Sequence, residues 1–595
     1  MRVMQNKLQI QCSAIGVIKM VEVFIDGAKY EVEEGKTLLD VARKNGIFIP
    51  TLCYLEEVTP TGACRLCVVE VEGAPRPQPA CVTKVTNGMK VQTNTRKLRR
   101  IRRTLLELLI ANHPNDCLYC VKSGSCDLQD LSTIYGVRDH RYLGDKRDHP
   151  LDISSMAIVR DPNKCILCER CVKVCDEVQS VHAIDLINRG YKSTVSSAFQ
   201  KTIHNSNCVL CGQCIRVCPT GALKENSASA QVQDALNNDE LITVVQVAPS
   251  ISVTIGEEFG LPPGTDVSGK LGTALRRLGF QYVFDTVFGA DLTIMEEAHE
   301  FVNRFLAGKN LPLITSCSPG WIKFLETEFP ELIPNLSTCK SPMSMQSAII
   351  KTYWAKQKNL NPREIFSVAI MPCVAKKFEA ERPEMVNDGI QNTDAVLTTR
   401  ELVRMIKTAG LNLAILLDTS YDDPLGEMTG AGKIFGTSGG VGEAALRTAY
   451  WIVNKQNPSN PNFEFARGSD PIKRFSIEIK PGVTVNGVIT SGLANARKIC
   501  EEIREGNKNN LHFVEVMACP NGCINGGGQP VGRNLDALTK RMMALYSIDG
   551  QMVKRYSHEN ESVLKLYKEF LGEPGSKVSH HLLHTKYYPR KEEEE

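Results

Sequence analysis

Apolar and polar residues alternate over residues 21–25 and again over 28–32, with Asp26-Gly27 between them. That pattern predicts a β-hairpin closed by a type I′ turn. Thr37 then precedes Leu38-Leu39-Asp40-Val41-Ala42-Arg43, and Asn45-Gly46 follows. A short amphipathic helix is predicted there, stopped where a left-handed residue costs least. From about residue 96 the chain turns basic, with Lys97, Arg99, Arg100, Arg102 and Arg103 leading into the apolar run Leu105-Leu106-Glu107-Leu108-Leu109-Ile110. This reads as a packed connecting helix with a solvated basic face. Beyond about residue 230, apolar β-type runs such as 241–247 and 366–370 alternate with longer helical patterns. Residues 226–540 therefore read as one large α/β domain with mostly buried sheets. The segment from 541 is helical in pattern and ends in Lys591 and four glutamates, a tail too charged to pack.

At 595 residues the chain exceeds what one core organises, and at least three domains are expected. Hydrophobic residues at 42%, charged residues at 23% and a net charge of +3 are ordinary for globular protein and give no reason to expect nucleic acid as a partner. No apolar run approaches the roughly 18 residues of a membrane span. Arg2, Lys7 and Lys19 make the first nineteen residues too polar for a signal-peptide core, so they read as an extension of a cytoplasmic protein.

Cysteine is what changes the picture. Most of the 22 copies fall in tight C-x-x-C groups, which point to metal ligation in a reducing compartment and not to a disulfide framework. Cys165, Cys168, Cys171 and Cys175 are repeated with identical spacing, 43 residues on, by Cys208, Cys211, Cys214 and Cys218 before Pro219. This is the two-cluster ferredoxin run, in which the fourth cysteine of each run serves the other cluster. One [4Fe–4S] set is then Cys165, Cys168, Cys171 and Cys218, the other Cys208, Cys211, Cys214 and Cys175. His113, Cys117, Cys120 and Cys126 form a mixed set that suits zinc or a cubane on chemistry alone. Its position between other clusters, where an electron relay needs a stepping stone, favours the cubane. Cys53, Cys64, Cys67 and Cys81 are spaced too widely for a cubane and resemble the loop of a plant-type [2Fe–2S] ferredoxin, with zinc as the alternative. Cys12 and Cys500 match no motif and read as ordinary thiols, and His580, His581 and His584 offer a metal-binding set but read better as a terminal surface cluster.

Three loops in the last domain carry a family resemblance. They are Thr315-Ser316-Cys317-Ser318-Pro319-Gly320-Trp321, Met371-Pro372-Cys373-Val374-Ala375-Lys376-Lys377-Phe378-Glu379, and Glu515-Val516-Met517-Ala518-Cys519-Pro520-Asn521-Gly522-Cys523 with its glycines to 528. In order and content they resemble the signature loops of [FeFe]-hydrogenases, and the resemblance runs over roughly residues 20–585. It implies an H-cluster, a cubane joined through a shared thiolate to a di-iron unit with carbonyl, cyanide and aza-dithiolate ligands. It assigns Cys373 and Cys519 to the cubane and Cys523 to the bridge. Lys376 would donate to a cyanide, and Ala248, Pro249, Ser250, Met371 and Met517 would line the pocket, the methionines also packing the core. The first loop departs from the family by placing Ser318 where a ligand cysteine is usual. Either Cys317 is the fourth ligand or another thiol is. Cys339 falls in a stretch near the cluster in relatives, so the resemblance favours Cys339 as ligand and Cys317 as proton relay.

Glu297 and Glu300 lie three apart on one predicted helix with Arg304. Without the resemblance they read as a solvated acidic face; with it, they and Ser337 form a proton path. The implied architecture is multidomain α+β and α/β: an extension to 19, a β-grasp [2Fe–2S] domain over 20–96, a His/Cys3 domain over 97–138, a two-[4Fe–4S] ferredoxin-like domain over 139–225, the catalytic domain over 226–540, and a small-subunit-like segment and tail over 541–595. The implied reaction interconverts H2 with protons and electrons. A complex-I-like electron-transfer subunit, a hydrogen sensor and a cluster-assembly relative are the rivals, and the three loops, the absence of a signalling module and the proton path respectively argue against them. No nucleotide fingerprint occurs, so NAD(P) chemistry is expected on a flavin-bearing partner subunit, with a small [2Fe–2S] subunit and ferredoxin as further partners; a stand-alone ferredoxin-dependent enzyme is the alternative.

Overall fold

The computed structural model describes residues 19–138, 141–531 and 536–590. Cys12 and most of the N-terminal extension, like the acidic C-terminal tail, lie outside them. The opening hairpin pairs Met20–Ile25 with Ala28–Glu33, and its turn residues Asp26 and Gly27 both have positive φ, 48° and 87°, as a type I′ turn requires. These strands belong to a five-stranded sheet in which Met20–Ile25 also runs parallel to Met89–Gln92. The helix Leu38–Lys44 covers that sheet; Thr37 and Asp40 close its first turn as a reciprocal capping box.

Helix Arg96–Ala111 leaves this domain and stops before Pro114, which cannot continue it. Its basic side is not uniformly solvated. Arg99, Arg100 and Arg103 are exposed, but Arg102 is 1% exposed and donates to the carbonyls of Leu66, Val68 and Thr93 at 3.1, 2.8 and 2.9 Å. A buried guanidinium with three carbonyl acceptors locks the helix onto the loop that carries Cys64 and Cys67.

The internal repeat is visible in the backbone. Leu167 and Glu169 have φ of 53° and 60°, and Leu210 and Gly212, 43 residues on, have 59° and 73°. Each left-handed residue launches a short helix, Arg170–Lys173 or Gln213–Val217. Strand Ile158–Arg160 pairs antiparallel with Leu223–Glu225 across the duplicated unit.

The large domain holds two four-stranded sheets. In the first, Tyr282–Asp285, Ile242–Val247, Ile365–Met371 and Ala395–Thr398 are all parallel, and their near-continuous apolar runs are buried on both faces. In the second, Leu313–Ile314, Phe513–Met517 and Val483–Ser491 are parallel, and Ile472–Lys480 is an antiparallel edge. Helix Val287–Ala307 lies between the two sheets. It presents Phe288, Leu292 and Met295 to the cluster around Val244 and Phe284, and Ala290, Ile294 and Phe301 to the cluster around Phe513 and Ile489. Each fully buried Leu, Ile or Phe side chain in these layers is worth about 1.5–3 kcal/mol, which fixes this helix's rotation and aims its acidic positions. The C-terminal helices Glu561–Leu566 and Lys577–Leu583 pack on the same core. His584, expected at the surface, is instead buried against Glu296 and Thr338, because the chain after Lys577–Leu583 forms a β-bridge from His584 to Cys339. Among the described residues no helix is long and apolar enough to cross a membrane.

Candidate active site and electron-transfer cysteines

Near the N-terminal end the thiols of Cys67 and Cys81 lie 3.4 Å apart. Cys53 is in hydrogen-bond contact with Cys64 and Cys81, which holds its thiol well below the ordinary value. Gly62 and Arg65, both at positive φ, fold the loop tightly enough to gather these four. The next set is looser. His113 follows the helix end half-buried, with its Nδ1 buried and without a hydrogen-bond partner; burial lowers its pKa, which favours the neutral imidazole that coordinates. Cys126 lies within electrostatic reach of Cys120, whose sulfur sits against Gly221 of the following domain, while Cys117 is exposed.

Two cavities of about 490 and 480 Å³ follow. The first is lined by Cys165, Cys168, Cys171 and Cys218, the second by Cys175, Cys208, Cys211 and Cys214. This is the crossed grouping read from the repeat. At equivalent places the left-handed turns aim the Leu167 and Leu210 amides at the sulfurs of Cys165 and Cys208, both at 3.4 Å. Such N–H groups stabilise thiolate and set cluster potential.

A larger cavity of about 750 Å³ lies at the carboxyl ends of both parallel sheets, where open α/β sheets place their sites. Strand Ile242–Val247 delivers Ala248, Pro249 and Ser250; Ile365–Met371 delivers Met371 and Cys373; Phe513–Met517 delivers Met517, Cys519 and Cys523; and Leu313–Ile314 delivers Cys317 and Ser318. All of them line the cavity, as does Lys376. Burial pushes the thiols of Cys317, Cys373, Cys519 and Cys523 upward, that of Cys523 to about 12. Such a group of buried sulfurs converging on one cavity is suited to a metal cluster, which would hold them as thiolates. Lys376 Nζ is held by Ser341 Oγ at 2.6 Å, Glu379 Oε2 at 2.5 Å and the Cys317 carbonyl at 3.3 Å.

Cys339 does not join the cavity. It is fully buried in the apolar cluster around Phe284 and Leu292, and its thiol donates to Glu300 Oε2 at 3.7 Å. The structure thus corrects its expected place as fourth cubane ligand: the Ser337–Ser341 stretch runs beside the proton path, with its sulfur turned toward Glu300. Ser318 Oγ, by contrast, faces the cavity and accepts from the Ala518 amide at 3.3 Å.

Behind Cys317 lies an acid chain. Glu297 is its strongest electrostatic neighbour. Glu297 is 2% exposed, hydrogen-bonds Ser337, and is raised to about 8 by burial with added repulsion from Glu300 and Glu515. Ser337 Oγ donates to Glu300 Oε2 at 3.1 Å, and Glu300 Oε1 pairs with Arg304 at 2.6 Å. A solvated acidic face is excluded for Glu296 and Glu297.

Sequence reasoning missed Gln213. It is 1% exposed, lines the second ferredoxin cavity, donates to the Asn525 carbonyl at 3.0 Å and hydrogen-bonds the Cys519 thiol. Only its place between two ligand cysteines signals it. Around it the backbones of the two domains nearly touch: a Cβ on Gly527 would come within 2.7 Å of the Gly212 Cα.

A fold with its cavity at two sheet ends, fed by cysteine-lined cavities and backed by acids, defines a metal-cluster oxidoreductase. Comparison with known proteins specifies which. Residues 241–527 match the iron-only hydrogenase large subunit, C-terminal domain; 18–96 a 2Fe-2S iron-sulfur cluster binding domain; 102–141 the NADH-ubiquinone oxidoreductase-G iron-sulfur binding region; 155–224 the ferredoxin-like domain of NADH-quinone oxidoreductase subunit 3; and 535–590 the iron hydrogenase small subunit. The chain is 45% identical over 585 residues to the NADP-reducing hydrogenase subunit HndD of Solidesulfovibrio fructosivorans, covering 96% of this chain and 100% of that protein. It is 39% identical to iron hydrogenase 1 of Clostridium pasteurianum, with the same coverage. The solved structure of an apo [FeFe]-hydrogenase HydA1 variant from Chlamydomonas reinhardtii is 39% identical, with TM-score 0.55, over 61% of this chain and 99% of that one. The chain belongs to the iron-only, or [FeFe], hydrogenase family. It is a hydrogenase catalytic subunit with iron–sulfur domains of the kind found in NADH-quinone oxidoreductases.

Proposed function

We propose that the chain holds one [2Fe–2S] and three accessory [4Fe–4S] clusters, which would carry electrons to an H-cluster held in the large cavity. The carrying observation is the convergence of Cys317, Ser318, Cys373, Cys519 and Cys523 on one buried cavity that abuts both the Cys211–Cys214 turn and the Glu297 chain. Cys373, Cys519 and Cys523 would hold the cubane, and its fourth ligand would come from the Cys317-Ser318 wall of the same cavity. When bound, the H-cluster supplies the interconversion of H2 with two protons and two electrons. Cys317 exchanges protons at the cavity wall; Glu297, Ser337 and Glu300 carry them outward; and Arg304 holds Glu300. Lys376, fixed by Glu379 and Ser341, presents a positive charge to an anionic ligand of the cluster.

Anaerobic iron analysis of the matured protein should give about 20 irons, with carbonyl and cyanide infrared bands. A value near 14 without those bands would sink the assignment. Cys317→Ala should retain the cubane and lose turnover; loss of the cubane instead would make Cys317 the ligand.

The electron partner is a flavin-bearing NAD(P)-reactive subunit, accompanied by a small [2Fe–2S] subunit. Four accessory clusters serve electrons that enter at a distance, and the relative with 45% identity is a subunit of an NADP-reducing hydrogenase. Ferredoxin is the second electron partner. Deleting residues 1–95 should leave dye-linked hydrogen oxidation largely intact and abolish hydrogen-dependent NAD(P) reduction by the reconstituted complex. Unchanged NAD(P) reduction would refute the docking role of this domain.

A further inference from the structure

The Cys339 thiol, excluded from the catalytic cavity, has company of its own. One ligand atom each of Glu300, Cys339 and His584 lies within 4.8 Å of the others, and Cys339 and His584 are buried. Sulfur, imidazole and carboxylate together are the ligand types of zinc, whose tetrahedral bonds of about 2.0–2.3 Å put ligand atoms roughly 3.3–3.7 Å apart. The Cys339 sulfur and Glu300 Oε2 already stand at 3.7 Å, so the remaining distances need close by only about an ångström to reach that geometry.

The surroundings are built as a zinc site's supporting groups are built. A ligating histidine ordinarily gives its other ring nitrogen to a carboxylate, which fixes its tautomer and raises its basicity. Here His584 Nε2 meets Glu296 Oε2 at 3.0 Å. Glu296 is itself pinned by the Tyr567 hydroxyl at 2.6 Å, the Gly575 amide at 2.8 Å and the Ser579 hydroxyl. That leaves Nδ1, now 2.7 Å from Thr338 Oγ1. Glu300 is anchored through Oε1 by Arg304 at 2.6 Å, while Oε2, the oxygen beside the Cys339 sulfur, accepts from the Thr338 amide at 3.0 Å and from Ser337 Oγ at 3.1 Å, neutral donors that an ion would displace. His580, exposed and stacked on His584 at 4.8 Å, lies on the solvent side.

We propose that Glu300, Cys339 and His584 form a binding site for a divalent transition metal, zinc foremost, which when filled closes the proton exit of the active site. The ion replaces the Cys339 thiol proton, which leaves to solvent, and takes Glu300 Oε2 away from Ser337; water completes the fourth position. The blocking effect rests on the proton path proposed above, whereas the binding does not.

The test uses anaerobic, fully matured holoenzyme with zinc chloride as probe. Zinc-edge X-ray absorption sees zinc apart from the cluster iron; binding is quantified by equilibrium dialysis, and hydrogen oxidation is followed with an artificial dye. The expected result is one zinc with one sulfur neighbour near 2.3 Å and the rest nitrogen or oxygen, at least tenfold weaker binding in Cys339→Ser and in His584→Gln, and wild-type turnover falling with zinc occupancy. Iron content must stay constant, so that zinc has not replaced cluster metal. A sulfur-free zinc shell, or equal affinity in both variants, overturns the site. Zinc bound with this shell while turnover is unaffected leaves the site standing and overturns the proton exit through Glu300.

Discussion

Replacing Glu297 by glutamine separates a proton carrier from a structural acid. A carboxyl moved from an ordinary 4.5 to about 8 disfavours its charged form by about 5 kcal/mol. At neutral pH Glu297 is therefore protonated, and Glu297→Gln exchanges one neutral planar group for another. The Ser337 contact can persist, and Glu297 Oε2 has no hydrogen-bond partner to lose. Below about pH 4.5, where the glutamate is neutral both folded and unfolded, stability should thus change by no more than about 1 kcal/mol, the worth of one ordinary hydrogen bond; at about pH 7 the glutamine variant should be the more stable by about 3 kcal/mol, because folding no longer has to protonate this carboxyl. Turnover should fall about 10²–10⁴-fold, the usual contribution of a positioned proton-transfer group, because an amide cannot release and regain a proton. Linkage gives a second readout. The folded-state pKa is raised, so Glu297's contribution to stability is fully present below the ordinary carboxyl value and is lost as pH rises from about 4.5 through about 8. Glutamine removes that slope. The assay is dye-linked hydrogen oxidation and evolution by matured enzyme, with anaerobic thermal unfolding at about pH 5 and pH 8. Turnover within twofold of wild type, or an unchanged pH slope, would refute both the assigned role and the burial argument.

Glu225→Gln should destabilise the seam between the ferredoxin-like and catalytic domains by about 3–5 kcal/mol, since the buried carboxylate pairs with Arg400 at 2.9 Å and Arg404 at 2.5 Å. These arginines depress its pKa well below the ordinary 4.5, so its stabilisation is present above about pH 4.5 and lost as pH falls below that; calorimetry and limited proteolysis of holoenzyme read this out, and an unaltered acid profile would count against it. Gln213→Leu, which removes a donor from Cys519, should lower the midpoint potential of the active-site cubane by roughly 50 mV, followed by infrared-monitored redox titration. A potential that does not move would show that Gln213 only fills space.

Local chemistry was legible wherever the ligands sit in one short stretch. The two C-x-x-C runs specify their own crossed grouping because a repeated backbone turn at Leu167 and Leu210 places equivalent sulfurs equivalently. The hairpin at Asp26-Gly27 and the cap at Thr37 are likewise decided by residues next to one another. What escaped depends on partners far along the chain. Arg102 has the same helical spacing as its solvated neighbours, and only the carbonyls of Leu66, Val68 and Thr93 distinguish it. Cys339 lies close in sequence to a signature loop, yet the strand-to-helix path through Ser337 turns its sulfur to Glu300 and the C-terminal segment. His584 looked terminal and therefore superficial, until Glu296, 288 residues away, took its ring nitrogen.

The near-touching backbones at Gly212 and Gly527 have a consequence beyond packing. Electron tunnelling weakens steeply with every added ångström, and at this seam the two cavities are joined by close main-chain contact and by Gln213, which lines the second ferredoxin cavity and hydrogen-bonds the Cys519 thiol. The two glycines act as a gap gauge: they let two stretches of main chain approach more closely than any Cβ would allow, since one on Gly527 would collide with the Cys211 carbonyl oxygen and one on Gly212 would meet the Val374 side chain at 2.7 Å. Arg400 reaches from Glu225 to the carbonyls of Gly527 and Gln529, so one guanidinium clamps both lips of the gap. On the electron path proposed above, conductance would thereby be a mechanical property of the domain seam as much as a chemical property of the clusters.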